Sequence, residues 1–545
     1  MRPLLSGLAV VVATVTPAGA QTREQNVTWC TSPDSTPDLR IGGCTALIQS
    51  GRETAGNLAL VMANRGLGYI DKHELTKAQE DFDQALKLDP RCTVAIGGRG
   101  RLLAEFKRYD EALAEINRGL AIETTAGLYW ARAMTYLDKA SYADAESDFS
   151  RALQLRPGFH AAYFGRALAS LRAGNHAKSI ADNTDAIRLK PGDALAYFNR
   201  GLAYAAQKEP DKAIADFDAC LKLNPGYLDA LSERGRVYFL KQEYAKALAD
   251  LNLVLTLKPD DADSYFTRAR IYYVQKNYDA SIADNTRAIA FDPTEYVAFH
   301  NRGLAHFSKN DHAAALADFS KALELRPDYR SSLFQRARVH YAMKNYDGSV
   351  ADNTKAIALE PKDDTAYFNR GLAYGASDRL ELALADFNQS LSIKPNDSAS
   401  LSQRANVFSK LKLFQMAVTD YTAVLAIEPK NSYQSSLRAL NRAMLGQVAE
   451  AVTDCDTALA AQPDNHGINE TCGMIYLKAG DLQKALAGFD KAQTTAMAAD
   501  AQPGFGRALV LQKQAGPDAA RVDFAKALAI DPKIADFFAR YGLAR

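Results

Sequence analysis

Apolar residues recur along most of this chain at three- and four-residue steps, the period of an amphipathic helix. In LAYFNRGLAYAAQKEPDKAIADFDACLKLNP (195–225), two such segments meet at a polar break over Lys208–Asp211. The pattern then returns in register. Ten prolines, at 157, 191, 225, 259, 293, 327, 361, 395, 429 and 463, stand 34 residues apart. Each ends a second helix, because proline cannot donate a backbone hydrogen bond and pushes its predecessor away from α geometry. The phase runs back through Thr124 to Pro90 and forward through Met497 to Pro532, with one residue deleted before Pro157 and one added before Pro532. Fourteen copies therefore cover 58–533, and a period in this range means stacked supersecondary units rather than one closed core.

Small residues keep the same register. Gly or Ala stands 24 residues before each landmark in all fourteen copies, as at Gly201, Gly235, Ala269, Gly303 and Gly371. Ala or Ser stands twelve before it, as at Ala213, Ser281 and Ala315. Such side chains let helices approach at the short end of the usual spacing. An aromatic often fills the space beside them: Phe82, Phe149, Phe217, Phe319, Phe387, Phe489 and Phe524.

Period, small packing positions, aromatic and terminal proline together resemble the tetratricopeptide repeat family, over nearly nine tenths of the chain. The resemblance implies an all-α fold, a right-handed α-solenoid (superhelix) of about fourteen 34-residue helix-turn-helix repeats. It also implies a concave groove, lined by the first helices, that holds peptides or partner proteins. The final stretch, IADFFARYGLAR (534–545), reads as a C-terminal capping helix, and 21–57 as an N-terminal capping segment.

Residues 1–20, MRPLLSGLAVVVATVTPAGA, have one basic residue, an apolar run from Leu4 to Val15 and a small-residue site before Gln21. That is the pattern of a cleaved signal peptide, too short to span a bilayer. Cleavage after Ala20 removes Arg2 and leaves 64 basic against 64 acidic residues. No net positive field remains to attract nucleic acid. The expected mature protein is soluble, periplasmic or secreted, and not inserted in a membrane.

Six cysteines fit an oxidising compartment. Cys30 and Cys44 flank the polar TSPDSTPDLRIGG and are expected to bond, a closure worth roughly 3 kcal/mol in the chain-entropy model. Cys92 and Cys220 lie almost four repeats apart, beyond the roughly 7 Å that a disulfide spans. Cys220 replaces an Ala and reads as a small buried hydrophobe. Cys455 and Cys472 lie on consecutive helices at the packing face, where pairing is open.

Arg occurs 25 residues before the landmark in thirteen copies, from Arg65 through Arg200 to Arg507. An acid stands nine before it in the same thirteen, from Asp81 through Asp216 to Asp523. The remaining copy carries Cys472 and Gly488, losing both together. Joint loss predicts pairing within a repeat, Arg200 with Asp216, and a structural role rather than a polyanion-binding row. Guanidinium grips carboxylate through two parallel bonds.

A partner-binding groove is expected on the first helices. Twenty-seven before the landmark come Trp130, Phe164, Phe198, Phe266, Phe334, Phe368 and Phe505. Twenty before it come Phe239, Tyr273, Phe307 and Tyr341. Between them, leucines give way to Arg236, Arg270 and Arg338, with no acid recurring in register, so these read as unpaired cations. Aromatics beside arginine are the residue types enriched at interface hot spots, and the arginine favours acidic partners.

Chemistry is sparse. Within the resemblance, the Lys and Asn of a chaperone-tail carboxylate clamp are missing; Asn406 has only Ser402 one turn before it. The eight histidines are scattered, His73-Glu74 lacks a second His at metalloprotease spacing, and no cysteines stand at zinc spacing. Asn183, Asn285 and Asn353 replace the aromatic in three near-identical second helices, which duplication explains. No enzyme, metal or cofactor is expected. The sequence therefore predicts an exported protein-interaction scaffold in an envelope complex. The alternative is a periplasmic helper in polysaccharide synthesis or export whose aromatics stack sugars.

Overall fold

The computed structural model describes residues 22–32, 35–495 and 500–543. The expected signal peptide and the Met497 landmark lie outside the described residues. Among the described residues every regular element is an α-helix, 31 in all, and successive helices pack as hairpin pairs. They fall into two compact units, one ending at Thr267 and one beginning at Arg268. Each unit is an α-solenoid of the predicted repeats.

The copy 195–225 shows why the sequence folds this way. Its helices are Ala194–Ala206 and Pro210–Leu223. The Asp193 side chain accepts the Leu195 backbone N–H and caps the first. Pro210, expected in the break, is instead the first residue of the second helix, where a missing N–H leaves no gap. Asn224 leaves α geometry at φ −137° immediately before Pro225. The break turns on Lys208, held left-handed at φ 61°.

Packing follows the small-residue register. A Cβ on Gly201 would stand 2.7 Å from the Phe217 ring, and Phe217 is wholly buried against Ala213 and its neighbours. Gly303 and Gly371 face Phe319 and Phe387 in the same manner. Where asparagine replaces the ring it is equally buried. Asn183, Asn285 and Asn353 each donate to the serine carbonyl four residues back, while each Oδ1 has no partner among the described residues.

All thirteen arginine–acid pairs close within their own repeat. Arg200 Nε and Nη2 donate to the two oxygens of Asp216 at 2.8 and 2.7 Å, and the Asp216 carboxylate is buried. The third nitrogen does something the pairing did not reveal. Arg200 Nη1 donates to Thr184 Oγ1 at 3.1 Å, on the second helix of the preceding repeat. Arg166 reaches Ser150, Arg302 reaches Thr286 and Arg404 reaches Asn388 from the same register. One guanidinium thus clasps its own hairpin and staples it to its predecessor.

The copy without arginine carries a covalent substitute. Cys472 occupies the arginine register and is bonded to Cys455 of the preceding repeat, with Cα atoms 5.5 Å apart. The pairing left open by the sequence is therefore made. Asp456, which the missing arginine would have reached, takes Tyr476 Oη at 2.6 Å and Lys484 Nζ at 3.0 Å. Cys30 and Cys44 are bonded as expected. Cys92 and Cys220 stay buried thiols, and burial pushes Cys220 up to about 11.

Residues before the array form two helices, Arg23–Thr31 and Pro37–Ser50, locked together by Cys30–Cys44. They pack on the first array helix, Ala55–Asp71. At the other end the helix Ile534–Arg540 lays Phe538 against Phe489 and Phe505. No described helix is long and apolar enough to cross a membrane.

Candidate functional site

The ladder is not a polyanion site: every described arginine in it is engaged by its own acid, as the pairing above shows. What remains available lies one turn either side of the small residues on the first helices. Trp130, Phe164, Phe198, Phe266, Phe334 and Phe368 are all half-buried there. Phe198 packs edge-on to Tyr227 at 5.0 Å, and Phe368 meets Phe387 at 6.0 Å. Tyr273 is half-buried and its hydroxyl lies 3.3 Å from Ser308 Oγ. Phe505 differs. It is 1% exposed and belongs to the core, because the closing helix covers it.

The arginines among these rings are exposed, but none is the isolated cation that the sequence suggested. Arg236 donates to Glu233, one turn back on its own helix, at 2.9 Å through Nε. Arg338 donates to Gln335 at 2.8 Å and lies 5.2 Å over the Phe307 ring. Arg270 is exposed and engaged. A partner at Arg236 must therefore compete with a local carboxylate, and one at Arg338 only with an amide.

Two recesses gather these residues. In the first unit a cavity of about 560 Å3 is lined by Trp130, Phe159, Arg40, Arg101 and Arg156. Arg101 lies 5.0 Å over the Trp130 ring and Arg156 4.6 Å over Phe159. Asp71 faces Arg40 at 3.0 Å and Arg101 at 3.5 Å. Two of the three cations thus share one carboxylate, while Arg156 lies over an aromatic ring. The recess is open because Gly97 stands where later copies carry the aromatic. Sequence reasoning found Trp130 and missed the rest, although Arg101 stands in the register of Arg236, Arg270 and Arg338. In the second unit a cavity of about 340 Å3 brings together Phe307, Arg338, Tyr341, Asn353 and Leu372.

These recesses sit on repeats whose family sequence comparison identifies. Two family models described as tetratricopeptide repeat match the chain, one at 194–227 and 296–329, the other at 64–126, 131–194 and 334–398. The matched segments are tetratricopeptide repeats. Among solved structures the chain is similar to a tetratricopeptide repeat protein from Parabacteroides merdae, with 20% identity and a TM-score of 0.38, covering 46% of this chain and 98% of that one. MamA from Desulfovibrio magneticus shares 25% identity at a TM-score of 0.30, over 31% of this chain and 96% of its own. YrrB, described as a TPR protein with an unusual peptide-binding site, shares 22% identity at a TM-score of 0.30, over 34% and 95%. No curated protein matches the chain. Tetratricopeptide repeats typically build scaffolds for protein–protein interaction and are generally non-enzymatic.

One further cluster stands in the same tetratricopeptide register as the aromatic row. Glu470 occupies the position of Phe334 and Phe368, and gathers with His466 and Asp500. Burial and the nearby Asp500 carboxylate push Glu470 up to about 7. His466 and Glu470 are four residues apart, a spacing visible in the sequence; Asp500 joins them only through the stacking of two repeats.

Proposed function

We propose that the chain is an exported, non-enzymatic scaffold whose tetratricopeptide first helices hold an acidic peptide or protein segment, as part of an envelope complex. The recess beside Trp130 carries this reading. Arg40, Arg101 and Arg156 line it beside two aromatic faces, and Asp71 pairs with Arg40 and Arg101 only. A carboxylate entering it gains charge-assisted hydrogen bonds, and the rings supply rigid apolar area. The same chemistry recurs at Arg338 beside Phe307 and Tyr341. Export is supported by the apolar leader ending at Ala20 and by two disulfides, which persist in oxidising compartments.

The decisive experiment titrates the mature protein with fluorescent acidic peptides, their amide-substituted counterparts and anionic oligosaccharides. Saturable binding of the acidic peptides, weakened at least tenfold by Arg101→Ala and reduced at high salt, is the expected result. Preference for the oligosaccharides would instead support the glycan-handling reading. Binding indifferent to both carboxylates and Arg101 would overturn the proposal. N-terminal sequencing of the mature chain tests export separately: a retained Met1 would refute it.

A further inference from the structure

His466 and Glu470 lie one turn apart on the helix His466–Ala479, and Asp500 stands just ahead of the next repeat's first helix, Gln502–Ala515. His466 Nδ1 lies 2.9 Å from the carbonyl oxygen of Ala492, to which it donates. That bond directs Nε2 toward the carboxylates, with Asp500 Oδ2 at 2.8 Å and Glu470 Oε2 at 4.0 Å. One ligand atom from each of the three residues lies within 4.8 Å of the other two. Glu470 Oε1 is buried and makes no hydrogen bond among the described residues.

A contact of 2.8 Å between a ring nitrogen and a carboxylate oxygen contains a proton. An ion could take that proton's place with little rearrangement. Ligand atoms held at about 2.0–2.2 Å around a tetrahedral centre are separated by roughly 3.3–3.6 Å. Asp500 would withdraw by about half an ångström, and Glu470 would close by a similar amount. An imidazole whose other nitrogen is fixed by a backbone carbonyl is the usual outer-shell arrangement of a ligating histidine. Two carboxylates and one neutral imidazole balance a divalent charge and leave a fourth position for water.

We propose that His466, Glu470 and Asp500 bind a divalent first-row transition-metal cation, which ties the last tetratricopeptide repeat to its predecessor. Two ligands come from one repeat and the third from the next, so binding cross-links them. The imidazole selects a borderline ion such as Zn2+ over Mg2+, which prefers oxygen ligands. The inference is independent of the peptide-binding reading, because it concerns a different cluster and a different ligand.

The test uses the full mature chain, stripped with chelator and titrated calorimetrically with Zn2+ and, separately, Mg2+. One Zn2+ per chain and no Mg2+ is expected, and Co2+ should give the visible absorption of a four-coordinate site. Asp500→Asn, which preserves shape, and His466→Ala should each lower Zn2+ affinity more than roughly tenfold. His306→Ala removes a comparable histidine–aspartate pair, His306–Asp311, and should leave binding unchanged. Zn2+ should raise the melting temperature of the parent protein but not of Asp500→Asn. Absence of stoichiometric Zn2+ binding, or binding that survives in both ligand variants, would overturn the proposal. Circular dichroism of each variant separates loss of the site from loss of the fold.

Discussion

Arg200 and Asp216 share two parallel hydrogen bonds, at 2.8 and 2.7 Å, across one helix hairpin. The acid is buried while the guanidinium keeps partial access to solvent. Asp216 also holds the Arg200 charge firmly, raising its pKa above the ordinary value. Arg200→Ala strands the buried carboxylate and should destabilise the first unit by about 3–5 kcal/mol. Thr184→Ala removes the staple to the preceding repeat, together with the threonine's own bond to the Ile180 carbonyl, and should cost about 0.5–1.5 kcal/mol. Urea melts of the two variants check the ordering. Arg200→Lys should not rescue, since an ammonium cannot make the parallel bonds. Equal losses in the alanine variants would refute the division between clasp and staple.

Lys208 is one of ten described non-glycine residues held near φ +60°. It turns the chain between its two helices, where the copies at Gly174, Gly446 and Gly480 use glycine. A side chain there costs about 1–2 kcal/mol, partly offset by the greater freedom that glycine has in the unfolded chain. Lys208→Gly should therefore stabilise by about 0.5–1 kcal/mol. Lys208→Ile should destabilise, because a β-branched side chain tolerates the left-handed region least. Chemical denaturation of both variants reads the effect; a stabilising isoleucine would sink the argument.

His300 is buried in the position that Phe266 and Phe334 hold in neighbouring copies, its Nδ1 2.8 Å from Ser332 Oγ. Burial lowers its pKa from 6.5 to about 4. Below pH 6.5 the unfolded chain therefore takes up a proton that the folded chain refuses, and stability falls as pH drops toward 4. The loss between pH 7 and pH 5 should be about 2 kcal/mol. His300→Phe should lose less over that interval, since other titrating groups act on both proteins alike. Melts at the two pH values provide the comparison, and parallel losses would show that His300 does not titrate as described.

The candidate site was only partly legible from sequence. Trp130 and Arg338 were identifiable because the repeat register marks every first-helix position. Arg40 and Arg156 were not, since Arg40 lies before the array and Arg156 just before a landmark. Their convergence with Arg101 depends on which residues the stacking brings to one recess. Phe505 was misplaced for the complementary reason. Its register matches Phe368, but the closing helix buries it beneath Phe538, and covering by a later segment leaves no trace in a repeat pattern.

Periodicity determined what is local: two helices per copy, the landmark prolines that end them, the small–aromatic packing of Gly201 and Phe217, and the pairing of Arg200 with Asp216. These depend on spacings within one hairpin, and a constant spacing on a helix fixes a constant geometry. Tertiary structure decided what happens between hairpins. It extended Arg200 to Thr184, put the Cys455–Cys472 bond where the arginine is missing, and brought Asp500 to His466 and Glu470. Each of these contacts joins adjacent repeats. Their distances are set by how one helix pair lies on the next, a three-dimensional relation that a one-dimensional period does not specify.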